Sequence, residues 1–122
     1  MKILAIDDQQ LVLLPLQKRL NELGYNIKVE TDANEGISLY NAFNPDLVIV
    51  DINMPGVSGL DIVKQIRNSK NPNTPIMVLS GNTKDSIITA GFDFGINDYM
   101  KIPLSLNVIC ARVIGLFGGR EV

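Results

Sequence analysis

Two hydrophobic rhythms alternate along the chain. Short apolar runs recur at "KILAI" (2–6), "NIKVE" (26–30), "DLVIV" (46–50), "IMVLS" (76–80) and "INDYM" (96–100). Three of the five are almost continuously apolar, as expected of parallel strands covered on both faces rather than of strands with one wet face. Between them lie segments of helical length and period that begin near Gln10, Asn34, Gly59, Lys84 and Ser105. This strand–helix alternation predicts an α/β, doubly wound sandwich, with five parallel strands flanked by five helices.

Local chemistry marks several boundaries. Gly24 and Gly95 suit the left-handed position just past the first and fourth helices, and Ser105 can cap the fifth. "NPD" at 44–46 and "NPNTP" at 71–75 predict turns into the third and fourth strands. Pro15 falls inside the first helical pattern, where it removes a backbone hydrogen bond, so a kink or a later helix start is expected. Residues 1–118 read as one domain, and residues 119–122, the end of "GLFGGREV", as a short tail or the start of a linker.

Composition narrows the chemistry. At 122 residues the chain is long enough to bury roughly two-thirds of its unfolded surface in a single core. With 46% hydrophobic and 20% charged residues and a net charge of -2, it lacks the basic excess of nucleic-acid binders, so DNA is not expected as a direct partner. "MKILAIDDQQ" reads neither as a signal peptide nor as a membrane span, and the lone Cys110 cannot form an internal disulfide, which together point to the cytoplasm. There is no histidine, which excludes a Ser-His-Asp triad, a Cys-His pair and a histidine-containing zinc site. The chemistry left to the chain runs on carboxylates, hydroxyls and lysines.

In open α/β sheets, ligands bind beyond the carboxyl ends of the strands, where strand order reverses. Asp7 and Asp8 follow the first strand, Asp51 the third, and Ser80 closes the fourth; Lys101 and Ile102 follow the fifth. If the first and third strands are neighbours, three carboxylates converge, and their repulsion is relieved by protonation or by a hard divalent cation such as Mg²⁺. Asp7 or Asp8 alone fits a helix-capping role equally well; the pair together with Asp51 fits a metal site beside a carboxylate nucleophile. Ser80 is equally compatible with a turn hydroxyl and with a ligand contact for which Gly81 leaves room.

These residues resemble the receiver domains of bacterial two-component response regulators over nearly the whole chain. The resemblance is carried by "IDD" (6–8), "LVIVDINMPGVSG" (47–59), "PIMVLSG" (75–81) and "NDYMKIP" (97–103). It implies a flavodoxin-like three-layer sandwich with strand order 2-1-3-4-5. It also implies that Asp51 accepts a phosphoryl group, while Asp7, Asp8, Asp51 and the backbone carbonyl of Asn53 hold Mg²⁺ or Mn²⁺. Ser80 would donate to a phosphoryl oxygen, and Tyr99 would follow its movement. The donor would be a histidine kinase or a histidine phosphotransfer protein. The surface of helix four, strand five and helix five would change with phosphorylation and serve a homodimer or an output partner. Such a domain is a signalling module that assists its own phosphorylation and dephosphorylation rather than an enzyme.

In one place the chain departs from the family pattern. The family carries a lysine immediately before the proline after strand five; here Ile102 precedes Pro103 and Lys101 comes one residue early. Side chains alternate faces along a strand, so Lys101 reaches the phosphoryl site only if a bulge re-aims it. Otherwise it faces solvent and the site works without it, or switching itself is altered. The last helical segment, "LNVICARVIGLF" (106–117), has Arg112 as its only charge, which fits either incidental exposure or an interface.

Three other functions fit less of the sequence. A phosphorylation-independent receiver-like interaction module would not need the acidic trio. A small hydrolase with Asp51 as nucleophile would favour an acid two residues on, where Asn53 stands, and a nucleotide binder would need a phosphate loop that does not follow strand one.

Overall fold

The computed structural model describes residues 1–54, 56–81, 84–102 and 105–118; Pro103 of the family pattern and the expected tail at 119–122 lie outside them. Strands and helices alternate as β1 (Lys2–Ile6), α1 (Gln10–Glu22), β2 (Asn26–Glu30), α2 (Ala33–Phe43), β3 (Leu47–Val50), α3 (Gly59–Arg67), β4 (Ile76–Ser80), α4 (Asp85–Asp93), β5 (Asp98–Lys101) and α5 (Leu106–Leu116). All strand pairs are parallel and the order is β2-β1-β3-β4-β5. Fold class and strand order are therefore as expected.

Alternation along the strands divides the interior into two cores, one on each face of the sheet. Ile3, Ala5, Leu47, Ile49, Met77, Leu79 and Met100 pack with α1 and α5. Leu4, Ile6, Val48, Val50, Ile76 and Val78 pack with α2 and α3 on the opposite face. The three central strands are buried along nearly their full length, which is why their sequences read as unbroken apolar runs.

Helix termini follow local chemistry. Asp32, Ser58 and Ser105 cap α2, α3 and α5, accepting from the backbone N–H of Glu35, Leu60 and Val108. Gly24 and Gly95 take positive φ values of 99° and 95° just past α1 and α4, a conformation that costs glycine nothing. α1 runs unbroken from Gln10 through Pro15, so the later start does not occur. The carbonyl left without a helical partner belongs to Leu11, which is 90% exposed and open to water.

β5 begins two residues later than its apolar run suggests. The reason is Asn97: its side-chain oxygen accepts from the backbone N–H of Ile76 at 2.9 Å, closing the sheet edge with a side chain where a strand would use a carbonyl. Arg67, at the end of α3, reinforces this corner. Its guanidinium donates to the carbonyls of Pro72, Thr74 and Gly95 and to the Asn97 side chain, tying α3 to the start of β4 and the turn before β5.

Arg67→Met keeps the aliphatic stem but removes every donor of this clamp. It is expected to lower stability by about 2 kcal/mol, and Tm by roughly 8 °C. Arg67→Lys should recover less than half of the loss, because one ammonium cannot span the fork. Thermal unfolding followed by circular dichroism checks this; an unchanged Tm for Arg67→Met would contradict it.

Candidate functional site: an acidic pocket at the carboxyl edge of the sheet

The pairing of β1 with β3 builds the site. Ile6 lies opposite Val50, and the backbone N–H of Asp51 donates to the Ile6 carbonyl at 3.0 Å. The residues that follow each strand are thereby set side by side. One carboxylate oxygen from each of Asp7, Asp8 and Asp51 lies within 4.8 Å of the others. Asp7 and Asp51 are 4% and 7% exposed, whereas Asp8 opens to solvent.

Backbone donors aim the two buried carboxylates. Asp7 Oδ1 accepts from the Gln9 N–H at 2.9 Å, and Asp51 Oδ1 accepts from the Asn53 N–H at 3.1 Å. The N-cap of α1 is Gln9, with no side-chain cap, so neither Asp7 nor Asp8 caps that helix. The turn after Asp51 is held close: Met54 and Gly59 donate to the Ile52 carbonyl, and a β-carbon at Gly59 would overlap the Asp51 carbonyl. Gly59, the last residue of the Asp-x-x-Met-Pro-Gly-x-x-Gly motif, is thus glycine because α3 starts against the backbone of Asp51.

The electrostatics favour a bound cation. Burial, joined by the charges of Asp51 and Asp8, pushes Asp7 up to about 6 despite the opposing bond from Gln9. Asp51 is also pushed up by burial, with the charge of Asp8 adding and the Asn53 N–H opposing. Two unit charges about 4 Å apart near a protein surface repel by on the order of 4 kcal/mol before solvent screening reduces it. An all-oxygen donor set of this density, open to water on the Asp8 side, fits a hard divalent cation that retains part of its hydration.

The remaining residues of interest divide between the two faces. Ser80, wholly buried, ends β4 on the α2–α3 side, and its Oγ accepts from Asn53 Nδ2 at 3.3 Å. No sequence signal points to this side-chain contact, because it depends on β3 and β4 being neighbours and on the turn geometry after Asp51. Tyr99 is half-buried against the same core. Lys101 is exposed, and the β4–β5 register runs without a bulge through Ser80 opposite Lys101. Lys101 therefore stays on the Ser80 side of the sheet, and among the described residues it makes no ion pair with Asp51. Ile102 packs with the α1–α5 core, the side on which alternation places Asp51.

The chain belongs to the response regulator receiver domain family, whose model matches residues 3–114. It is similar to response regulator MprA of Mycobacterium leprae, 34% identical over 116 residues that make up 95% of this chain and 50% of that protein. It is also similar to the cell cycle transcriptional regulator CtrA of Caulobacter vibrioides, 32% identical over 93% of this chain and 48% of that protein. The chain thus spans about half the length of these relatives. Among solved structures, the receiver domain of Francisella response regulator 1452 superposes with a TM-score of 0.87 at 28% identity, covering 98% of each chain. A two-component response regulator from Clostridium difficile gives 0.90 at 27% identity, covering 96% of this chain and 95% of that one.

The raised Asp7 carboxyl has a consequence for stability. An unfolded aspartate titrates at its ordinary 3.8 and the folded one near 6, so the folded state holds the extra proton between those values. Metal-free stability therefore falls as pH rises through this window, and the penalty is fully present above it. Asp7→Asn should raise Tm of the chelated protein by a few degrees near pH 7.5, on the order of 1 kcal/mol after screening at the open mouth, and by almost nothing near pH 4. Scanning calorimetry in chelator checks this; a lower Tm for the variant near neutrality would contradict it.

Proposed function

We propose that this domain is a phosphoacceptor: Asp51 takes a phosphoryl group from a phosphohistidine on a partner, and the new charge resets the surface formed by α4, β5 and α5. The single observation that carries this reading is the placement of Asp51, buried at the end of a central strand with its carboxylate against those of Asp7 and Asp8. These 122 residues contain no histidine, so the donor histidine lies outside them, on a histidine kinase or a histidine phosphotransfer protein.

In the transfer, an Asp51 carboxylate oxygen attacks phosphorus as the phosphorus–nitrogen bond breaks; the electron pair stays on the imidazole nitrogen of the donor. Asp51 reacts as the anion, and the Asn53 N–H on Oδ1 favours that form while aiming the carboxylate. Asp7 and Asp8, with Asp51 and the backbone carbonyl of Asn53, would hold Mg²⁺ or Mn²⁺. Such an ion, when bound, offsets the charge that collects on the phosphoryl oxygens. Ser80 donates its hydroxyl proton to one of those oxygens, and Tyr99, on the same face, responds to its movement. Lys101 contributes no contact to Asp51 in this reading.

Beside the acidic mouth the surface is apolar. Leu11 and Leu14 are 90% and 54% exposed, and a groove of about 520 Å³ runs between Val12, Pro15, Ile102, Leu106 and Ile109. A donor protein delivering its histidine to Asp51 meets this flank. On the response side, Arg112 of α5 pairs with Asp98 of β5 at 3.2 Å, while Phe92 of α4 and Val108 and Ile114 of α5 stand exposed. That face suits a homodimer or an output partner. The domain itself is a signalling module that promotes its own phosphorylation and dephosphorylation. It works in the cytoplasm, where the buried Cys110 remains a thiol.

Incubation with a small phosphoryl donor and Mg²⁺, followed by intact mass measurement, is expected to show one added phosphoryl group. Asp51→Asn and chelation should each abolish it. Absence of an adduct on the folded wild-type protein, with partner binding unaffected by Asp51→Asn, would point instead to an interaction module that works without phosphorylation.

A further inference from the structure

Asn53 touches both halves of the pocket. Its backbone N–H donates to Asp51 Oδ1 at 3.1 Å, and its side-chain amide donates to Ser80 Oγ at 3.3 Å. The carboxamide is exposed, whereas the hydroxyl it reaches is wholly buried. One short turn therefore connects the carboxylate that would receive the phosphoryl group with the hydroxyl that would sense it.

The backbone of Ser80 has no such freedom. Its carbonyl accepts from the Ile102 N–H at 3.0 Å, and the residue lies in register opposite Lys101. Only the side chain can respond to a new group at Asp51. Ser80 also shares a sheet face with Val78 and Tyr99, which are register partners one step away along β4 and β5. The Ser80 and Tyr99 side chains therefore lie on one face of the sheet.

We propose that the Asn53 carboxamide is a latch: by donating to Ser80 Oγ it holds the hydroxyl in its resting rotamer and so biases Tyr99 toward its resting position. The inference deepens the phosphoacceptor reading and rests on it only for what opens the latch. A phosphoryl group on Asp51 draws charge-assisted hydrogen bonds, which are roughly twice as strong as the neutral amide–hydroxyl bond, and so competes successfully for both Ser80 and the Asn53 amide. Ile102, not a lysine, stands on the Asp51 side of β5. A neutral bond of this type biases a two-state equilibrium by roughly fivefold.

The test reads the phosphate-free protein, so its outcome is independent of whether Asp51 can be phosphorylated. Nuclear magnetic resonance of the Tyr99 ring is compared among wild type, Asn53→Ala, Ser80→Ala and the double variant, each verified as folded by its amide spectrum. Asn53→Ala is expected to displace the Tyr99 resonances with a roughly fivefold rise in the released-to-latched ratio. In the Ser80→Ala background the same change should have no further effect on Tyr99, since the acceptor is already gone. Tyr99 resonances that do not move in Asn53→Ala, or that move equally with Ser80 absent, would overturn the latch. Loss of the phosphoryl adduct in the mass experiment would instead overturn the phosphoacceptor reading and leave this result standing.

Discussion

Everything distinctive about this domain follows from a conflict that its strand pairing enforces: three carboxylates held within 4.8 Å of one another, two of them buried. The parallel register of β1 and β3, with Ile6 opposite Val50, allows no other placement for the residues that follow. Relaxing the repulsion by separating the aspartates would mean shifting a central strand and turning its apolar side chains from one core to the other. The sheet is therefore stiffer than the repulsion is strong. The conflict is resolved chemically, by a proton on Asp7 or by a cation.

The two cores support this arrangement unequally. On the α1–α5 side, apolar packing continues to the carboxyl edge of the sheet through Ile102, next to the mouth of the acidic pocket. On the other side, α4 contributes only Gly91 as a fully buried residue. An element held by so little buried surface opens at lower cost than those around it. The Arg67 clamp secures the turn that follows α4, so movement of the helix is referred to a fixed corner rather than spread through β5. In the phosphoacceptor reading, a charge arriving at Asp51 would act on a rigid sheet beside a lightly buried helix, a combination suited to turning a local event into a change of surface.

Most of the architecture was legible in the sequence because it rests on local rules. Continuous apolar runs identified the buried strands, and serine, aspartate and glycine marked helix ends where caps and positive φ are needed. β5 was placed two residues early because the apolar Ile96 precedes it, yet at Asn97 the backbone N–H pairs with the Ile76 carbonyl while the side-chain oxygen, rather than a strand carbonyl, accepts from the Ile76 N–H. The acidic trio could be read from strand ends alone. The direction of Lys101 could not, since it turned on whether a bulge forms; the β4–β5 register, continuous through Ser80 opposite Lys101, places it on the Ser80 side of the sheet. The Asn53–Ser80 contact was invisible for a different reason: it joins residues 27 positions apart through the shape of one turn.

The most direct measurement of the central conflict is the titration of the individual Asp7 and Asp51 side-chain carboxyl carbons by nuclear magnetic resonance, with and without Mg²⁺. The account predicts that in metal-free protein Asp7 titrates near 6 and Asp51 above its ordinary value, and that saturating Mg²⁺ moves both below the usual carboxylate range. Ordinary titration of both groups in the metal-free domain, unchanged on adding Mg²⁺, would contradict it.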